Sequence, residues 1–189
     1  MINKLCGFHV VLTTHNSRSS VRMKLYNIKK GPPRLLHLKE EILLTQILQD
    51  IIVKNNYRCV AYTICLDLVE MILVCHENEL DNIIQKMKSI SSKLFHRSQE
   101  VAPMLTKQHQ NRLWSQKFYK ANLGEYICFM DNKALHSDRN HYIRRLLSNI
   151  THYRHKLGLT FSQELVDITS QFIISEFDAF HPNFSFKGS

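Results

Sequence analysis

The chain lacks most of the patterns that would assign it to a membrane, secreted or common enzyme class. It contains no run of about 18 apolar residues, so we expect no transmembrane helix. Its first residues, Met-Ile-Asn-Lys-Leu-Cys-Gly, lack the apolar core of a signal peptide. It also has no Gly-rich phosphate loop, no GxSxG and no pair of CxxC motifs, so these signatures indicate no enzyme class.

Cysteine and glycine are scarce. There are five cysteines and five glycines in 189 residues, and no cysteine belongs to a CxxC pair. Cys59, Cys65 and Cys75 lie in predicted core strands, where cysteine behaves as a small apolar residue. An odd number of cysteines without paired spacing predicts a reduced, cytoplasmic protein without disulfides.

Acidic residues are missing from two long stretches, although the formal net charge is +9. Residues 1–39 contain eight Lys and Arg and no Asp or Glu, and residues 101–124 contain Lys107, Arg112, Lys117 and Lys120, again without an acid. The sign reverses in residues 160–189, which hold four acids. Basic stretches interleaved with aromatic residues and histidines predict a polyanionic partner, and nucleic acid is the main candidate.

The pattern of apolar residues predicts an α+β fold in one main domain, 1–159, followed by a C-terminal helix and tail, 160–189. Strands are predicted at 6–14, 57–67 and 69–76, with a tight turn near Leu66, and a fourth at 113–120 that residues 125–130 could extend. Helices are predicted at 38–55, from an Asn78 cap onward, at 138–157, and after a capping box at Thr160. The basic loop 15–37 contains Gly31, Pro32 and Pro33, which exclude regular structure.

The predicted order of the core is β-α-β-β-α-β. This order is typical of the ferredoxin-like, or split βαβ, arrangement, in which two helices cover one face of an antiparallel sheet. The other face is then available for a ligand, a partner subunit or the helix 138–157.

Five stretches in sequence resemble the HUH-type single-tyrosine transposases, which include the insertion-sequence and REP-associated enzymes. They are residues 8–18 (FHVVLTTHNSR), 61–80 (AYTICLDLVEMILVCHENEL), 84–91 (IQKMKSIS), 113–118 (LWSQKF) and 154–157 (RHKL). The resemblance spans about residues 6–159. It implies a homodimer that recognises folded single strands. It also implies a His-x-His pair on the third strand for Mg²⁺ or Mn²⁺ and a tyrosine that becomes linked to the 5′ end of DNA.

The chain departs from that family pattern at the metal-binding strand. Leu68 and Glu70 stand where the two histidines are expected. Leu68 cannot bind a metal, and Glu70 alone makes a poor site, so we expect no bound cofactor; Mg²⁺ or Mn²⁺ would be needed only by an active enzyme. The nucleophile is Tyr142 if the local Tyr-Ile dipeptide is followed, whereas counting back from Arg154 places Leu147 there.

Candidate nucleic-acid-binding residues come from the basic loop, the fourth strand and the helix 138–157. They are Arg18, Arg22, Lys24, Lys29, Lys30, Arg34, Lys117, Lys120, Arg144, Arg145, His152, Arg154, His155 and Lys156. Trp114, Phe118 and Tyr119 either stack on bases beside the lysines or belong to the core.

Three functions follow as hypotheses. The first is a transposase-like protein that binds single-stranded or hairpin DNA, or RNA, without cleaving it. The second is an active metal-dependent tyrosine transposase using Glu70, Tyr142 and a rearranged ligand such as His76 or His141. The third is a ferredoxin-like protein-interaction module that uses the acidic C-terminal helix and the Phe-rich tail. None of the three needs a membrane.

Overall fold

The computed structural model describes residues 4–17, 31–98, 112–126, 128–130 and 158–186. Within these ranges the chain forms four strands and four helices. In chain order they are β1 (Leu5–Thr13), α1 (Leu38–Lys54), β2 (Arg58–Cys65), β3 (Leu68–His76), α2 (Leu80–Ser98), β4 (Tyr119–Gly124), α3 (Gln163–Ser170) and α4 (Glu176–Phe180).

The strands form one sheet in the order β2-β3-β1-β4, with every neighbouring pair antiparallel. This confirms the ferredoxin-like prediction. β1 and β3 are the central strands, and their register aligns Cys6 with Cys75, His9 with Ile72 and Val11 with Glu70. Because successive side chains of a strand alternate between faces, this register decides which residues share a face.

One sheet face packs against α1 and α2. Val10 and Leu12 of β1, with Val69 and Met71 of β3, are buried there against apolar residues of both helices. The apolar period of α1 brings Leu44, Ile47, Leu48 and Ile51 onto its buried side, as the sequence predicts. We call this the helix face of the sheet, and the opposite side the second face.

The turn between β2 and β3 consists of Leu66 and Asp67. Leu66 has φ 51°, a left-handed conformation that costs a non-glycine residue roughly 1 kcal/mol or more. The backbone N–H of Leu66 donates to Oε1 of Glu41 at 2.7 Å, and its carbonyl accepts from the N–H of Leu36 at 2.8 Å. Glu41 is 1% exposed, so its carboxylate binds this turn inside the protein.

Replacing Glu41 is therefore expected to destabilise the hairpin. Glu41→Ala leaves the Leu66 N–H without its acceptor and should lower the free energy of unfolding by about 2–3 kcal/mol, as for hydrogen bonds to charged groups. Chemical denaturation checks the value. Glu41→Gln is the control, because its amide oxygen can still accept the bond, and should lose less. Equal stability of both variants and the wild type would contradict this role of Glu41.

The C-terminal segment covers the outer edge of β2. α3 packs on α1, and Phe172 is buried edge-on against Tyr62 with the ring centroids 5.2 Å apart. The N–H of Ile174 donates to the carbonyl of Cys59 at 2.9 Å, and Arg58 donates to the carbonyl of Ala179 at 2.9 Å. The segment thus protects an edge strand that would otherwise expose its backbone groups.

A smaller apolar cluster covers part of the second face. Val60, Ile72, Val74, Leu123, Phe129 and Ala179 are buried together at the end of the sheet where β1 begins. Gly7 is required by this packing, because a Cβ there would lie 2.8 Å from the Phe129 ring. α4 and the helical turn after β4 therefore share one surface.

Four local predictions were wrong. β4 runs over Tyr119–Gly124 rather than 113–120, and a helical turn replaces the predicted sheet extension after it. α2 begins later than expected, because the N–H of Ile83 bonds to the carbonyl of Glu79, which makes Glu79 rather than Asn78 the N-cap. Ser162, not Thr160, caps α3, since Ser162 accepts from the N–H of Leu165.

The predicted helix 138–157 lies entirely outside the described residues. Among the helices that the structure describes, none is long and apolar enough to cross a membrane.

Candidate nucleic-acid interface

β3 presents Leu68, Glu70 and Ile72 toward the second face, because the intervening Val69 and Met71 belong to the helix-face core. Glu70 is 9% exposed and lies opposite Val11 on β1 and Thr63 on β2. The two positions at which the family resemblance implies histidines therefore share one face of the sheet, and they hold Leu68 and Glu70.

These side chains do not fit a divalent metal. Leu68 supplies no donor, and Glu70 supplies a single carboxylate. No cluster of three or more His, Cys, Asp or Glu able to hold an ion occurs in the parts of the chain that the structure describes. Typical Mg²⁺ sites need near-octahedral oxygen coordination, which a single carboxylate on an apolar strand does not provide.

His76 cannot complete such a site. It lies on β3 with Glu70, six residues further along, which corresponds to about 20 Å of extended strand. The two side chains therefore cannot bind one ion, and this ligand of the active-enzyme hypothesis is wrong. His141, its other named ligand, lies outside the described residues.

The histidine that does lie near Glu70 is His9. Its register partner is Ile72, which makes Glu70 a diagonal neighbour across the β1–β3 pair. His9 is 6% exposed, and its ring meets the Tyr119 ring edge-on with centroids 5.5 Å apart. Spacing along the chain could not reveal this neighbour, since it depends on strand register.

The described tyrosines differ sharply in exposure. Tyr62 lies in the helix-face core, where its hydroxyl meets that of Thr45 at 3.1 Å and burial raises its pKa. Tyr119 is half exposed at the second face of β4. Tyr142, the candidate nucleophile, lies outside the described residues.

Both ends of the basic loop are anchored beside the Leu66–Asp67 turn. Thr14 donates its hydroxyl to the carbonyl of Arg34 at 2.6 Å, and the N–H of Arg34 donates to the carbonyl of His15 at 3.1 Å. Ser17 donates to the carboxylate of Asp67, and the N–H of Thr14 to the Asp67 carbonyl at 2.8 Å. The entry and exit of the loop are thus fixed at one place on the fold.

The segment before β4 is hydrogen-bonded to the end of β1 and the start of the basic loop. The N–H of His15 donates to the carbonyl of Leu113 at 2.9 Å, and that of Ser115 to the carbonyl of Thr13 at 2.8 Å. Lys88 of α2 donates to the carbonyl of Ser115 at 2.6 Å, and burial lowers the Lys88 pKa. Residues 14–17, 31–36, 66–67 and 113–115 together are called the anchor corner below. Both acid-free basic stretches therefore pass through this corner.

The predicted binding cations that are described have different surroundings. Arg34 pairs with Glu40 at 3.5 Å, and its guanidinium lies 5.1 Å from the centroid of Phe95. Lys120 pairs with Asp81 at 2.7 Å in an exposed position. Lys117 is exposed and has no hydrogen bond or ion pair among the described residues. Arg34 therefore has a structural role at the anchor corner, whereas the two lysines remain at the surface.

The other candidates lie outside the described residues. They are Arg18, Arg22, Lys24, Lys29, Lys30, Arg144, Arg145, His152, Arg154, His155 and Lys156.

The aromatic residues before β4 separate into core and surface. Trp114 is 6% exposed, and its indole N–H donates to the hydroxyl of Ser91 at 2.9 Å. Phe118 packs partly against the helix-face core. Tyr119 is 51% exposed, so of the three it is the side chain that can stack on a base.

The four-stranded antiparallel sheet with helices on one face defines a protein of the ferredoxin-like α+β class. The family model for IS200-like transposases matches residues 3–128, and the chain belongs to this family. It is accordingly a member of the HUH-type single-tyrosine transposase superfamily.

Two solved structures are similar to this chain at low identity. One is a candidate transposase from Deinococcus radiodurans R1, with 16% identity, a TM-score of 0.41, and coverage of 69% of this chain and 88% of that one. The other is a REP-associated tyrosine transposase bound to a REP hairpin, with 10% identity, a TM-score of 0.42, and coverage of 82% and 70%. No curated protein matches the chain significantly.

Proposed function

We propose that this transposase-family protein binds folded single-stranded nucleic acid, with hairpin DNA as the first candidate and RNA as the second, and does not cleave it. The observation that carries the proposal is that the basic loop and the start of β3 lie together at one end of the sheet. The acid-free basic loop is anchored beside the turn that leads into Leu68 and Glu70. Binding and loss of cleavage are thus inferred from adjacent parts of one surface.

Binding is supported by the charge of the anchored loop. Segment 18–30 carries five Lys and Arg and no acid, and its ends are tied down at Thr14, Ser17 and Arg34. A cationic segment of this kind attracts phosphates without reading bases, and its affinity falls steeply with salt. Tyr119 lies on β4 opposite Val11 of β1, the strand that leads into the basic loop, and its exposed ring could stack on a base. A homodimer and a cytoplasmic location complete the proposal, and analytical ultracentrifugation tests the former.

Loss of cleavage is supported by the side chains of β3. A metal-dependent phosphoryl transfer needs an ion to stabilise charge on the scissile phosphate and orient it. Leu68 removes one of two expected ligands outright, and the described residues supply no replacement set. A second candidate, an active tyrosine transposase with Tyr142 as nucleophile, is favoured by the buried Glu70 beside His9.

A third candidate, the protein-interaction module, is favoured by the C-terminal segment. Phe161 and Phe177 are 56% and 67% exposed near the acids of α3 and α4. Such exposed rings on an acidic surface suit a basic protein partner.

The distinguishing experiment uses a DNA hairpin with and without Mg²⁺ or Mn²⁺. We expect a mobility shift on a native gel that weakens with salt, and no covalent protein–DNA band on a denaturing gel. A covalent band that disappears in Tyr142→Phe would replace this proposal with the active transposase. Absence of any shift at low salt, with RNA hairpins also unbound, would favour the interaction module.

A further inference from the structure

Two cysteines face each other across the central strand pair. Cys6 of β1 and Cys75 of β3 are register partners, and both side chains belong to the helix face. Directly opposed residues of antiparallel strands have Cα atoms about 4.5–5.5 Å apart. A disulfide requires a Cα separation of about 4.4–6.8 Å, so this pair satisfies the first geometric condition for a cross-strand bond.

The two thiols differ in access. Cys6 is half-buried near the start of β1, whereas Cys75 is 6% exposed. Burial raises the pKa of the Cys75 thiol to about 12, and burial followed by the charges of Glu125 and Glu77 raises that of Cys6. Burial therefore disfavours the thiolate of both cysteines, and Cys6 is the one of the two that a solvent oxidant meets first.

We propose that Cys6 and Cys75 form a redox-modification site at which a peroxide converts two thiols into one intramolecular disulfide. The Cys6 thiol ionises, and its thiolate attacks hydrogen peroxide, which gives a sulfenic acid and a hydroxide that takes up the released proton to form one water. The Cys75 sulfur then attacks the Cys6 sulfur, forms the S–S bond and releases a second water. The two thiol hydrogens leave in the two waters, and the peroxide is reduced by two electrons.

The disulfide would tie the two central strands together. It closes a loop that contains α1, β2 and most of β3, so it restricts the unfolded chain strongly. For a chain of this size we expect the melting temperature to rise by roughly 5–10 °C on oxidation. A bond between paired strands leaves the sheet order unchanged.

Two of the remaining cysteines serve as controls, and the third could form an alternative disulfide with Cys6. Cys59 faces Leu73 across the β2–β3 pair, and Cys65 faces Leu68, so neither has a cysteine partner by register. Cys128 is exposed on the helical turn after β4 and lies next to Gly124, whose register partner Gly7 follows Cys6. A Cys6–Cys128 bond is thus the alternative that the experiment must distinguish.

The test treats the folded, full-length protein with hydrogen peroxide, blocks free thiols with an alkylating agent, and maps the cysteines by mass spectrometry. We expect a peptide pair linked through Cys6 and Cys75, formed faster at pH 9 than at pH 7 because the attacking Cys6 thiolate is more abundant there. The melting temperature should rise, and a phosphine reductant should reverse the rise. Cys59→Ala should retain the bond, whereas Cys6→Ala should lose it.

Two outcomes would overturn the proposal. One is a Cys6–Cys128 linkage as the main product, and the other is Cys6 oxidised to sulfinic or sulfonic acid while Cys75 remains alkylated. The mapping uses the wild-type protein, so it decides the question even if a variant folds poorly.

Discussion

Neutralising the cations of the basic loop is expected to weaken hairpin binding by about 100-fold at physiological salt. The variant replaces Arg22, Lys24, Lys29 and Lys30 with Gln and keeps Arg18, which adjoins the anchor residue Ser17. If each cation meets a phosphate, the slope of log K against log salt should become shallower by about 3, at 0.7–0.9 per contact. Fluorescence anisotropy over a salt series measures both quantities.

The structural reason is the position of the anchors. The hydrogen bonds that fix the loop ends join Thr14, His15, Ser17, Arg34 and Asp67, all of which the variant keeps. Because the variant keeps these bonds, we expect the free energy of unfolding to change by about 0.5 kcal/mol or less. This variant should therefore lose hairpin affinity while its free energy of unfolding stays nearly the same.

A control variant removes three charges elsewhere. Lys4, Lys54 and Lys86 are exposed and lie before β1, at the end of α1 and beside Asn55, away from the anchor corner, and their replacement by Gln lowers the net charge by three. This control should lose only the general attraction of a less basic protein, a few-fold in affinity. Equal losses in both variants would show that total charge, and not the anchored loop, determines binding.

Replacing Trp114 with Ala is expected to destabilise the protein by about 3–5 kcal/mol, as for large aromatic residues in a core. Residue 114 belongs to the anchor corner, its ring is 6% exposed and joins this corner to α2, and Ser91 would lose the indole N–H that donates to it. Circular dichroism during chemical denaturation measures the loss. Trp114→Phe should recover most of the buried area and fail to recover the hydrogen bond.

Tyr119→Ala should show the opposite behaviour. The ring is 51% exposed, so its loss should cost little stability, while hairpin affinity falls by the 1–3 kcal/mol typical of base stacking. Tyr119→Phe keeps a stacking ring and should bind normally. A stable Trp114→Ala protein with reduced affinity, or a Tyr119→Ala protein with full affinity, would reverse the assignment of core and surface.

The three aromatic residues around the start of β4 have locations that the local sequence does not determine. Trp114, Phe118 and Tyr119 lie within six residues, and their basic neighbours made stacking and burial equally reasonable for all three. The bridge between Thr14 and Trp114, and the late start of β4, decided between them. Local propensity could not, since the segment 113–118 is held by contacts to distant parts of the chain.

By itself the sequence determined the order of the core elements, because strand and helix periods are local properties of side-chain spacing. It also showed Leu68 and Glu70 where the family resemblance implies two histidines, and a basic loop without acids. Only the tertiary structure decided which residues meet across strands. The register makes Glu70 a diagonal neighbour of His9 and places Cys6 opposite Cys75, and hydrogen bonds join both loop ends to the Leu66–Asp67 turn. They depend on strand register and long-range hydrogen bonds, which no short window of sequence encodes.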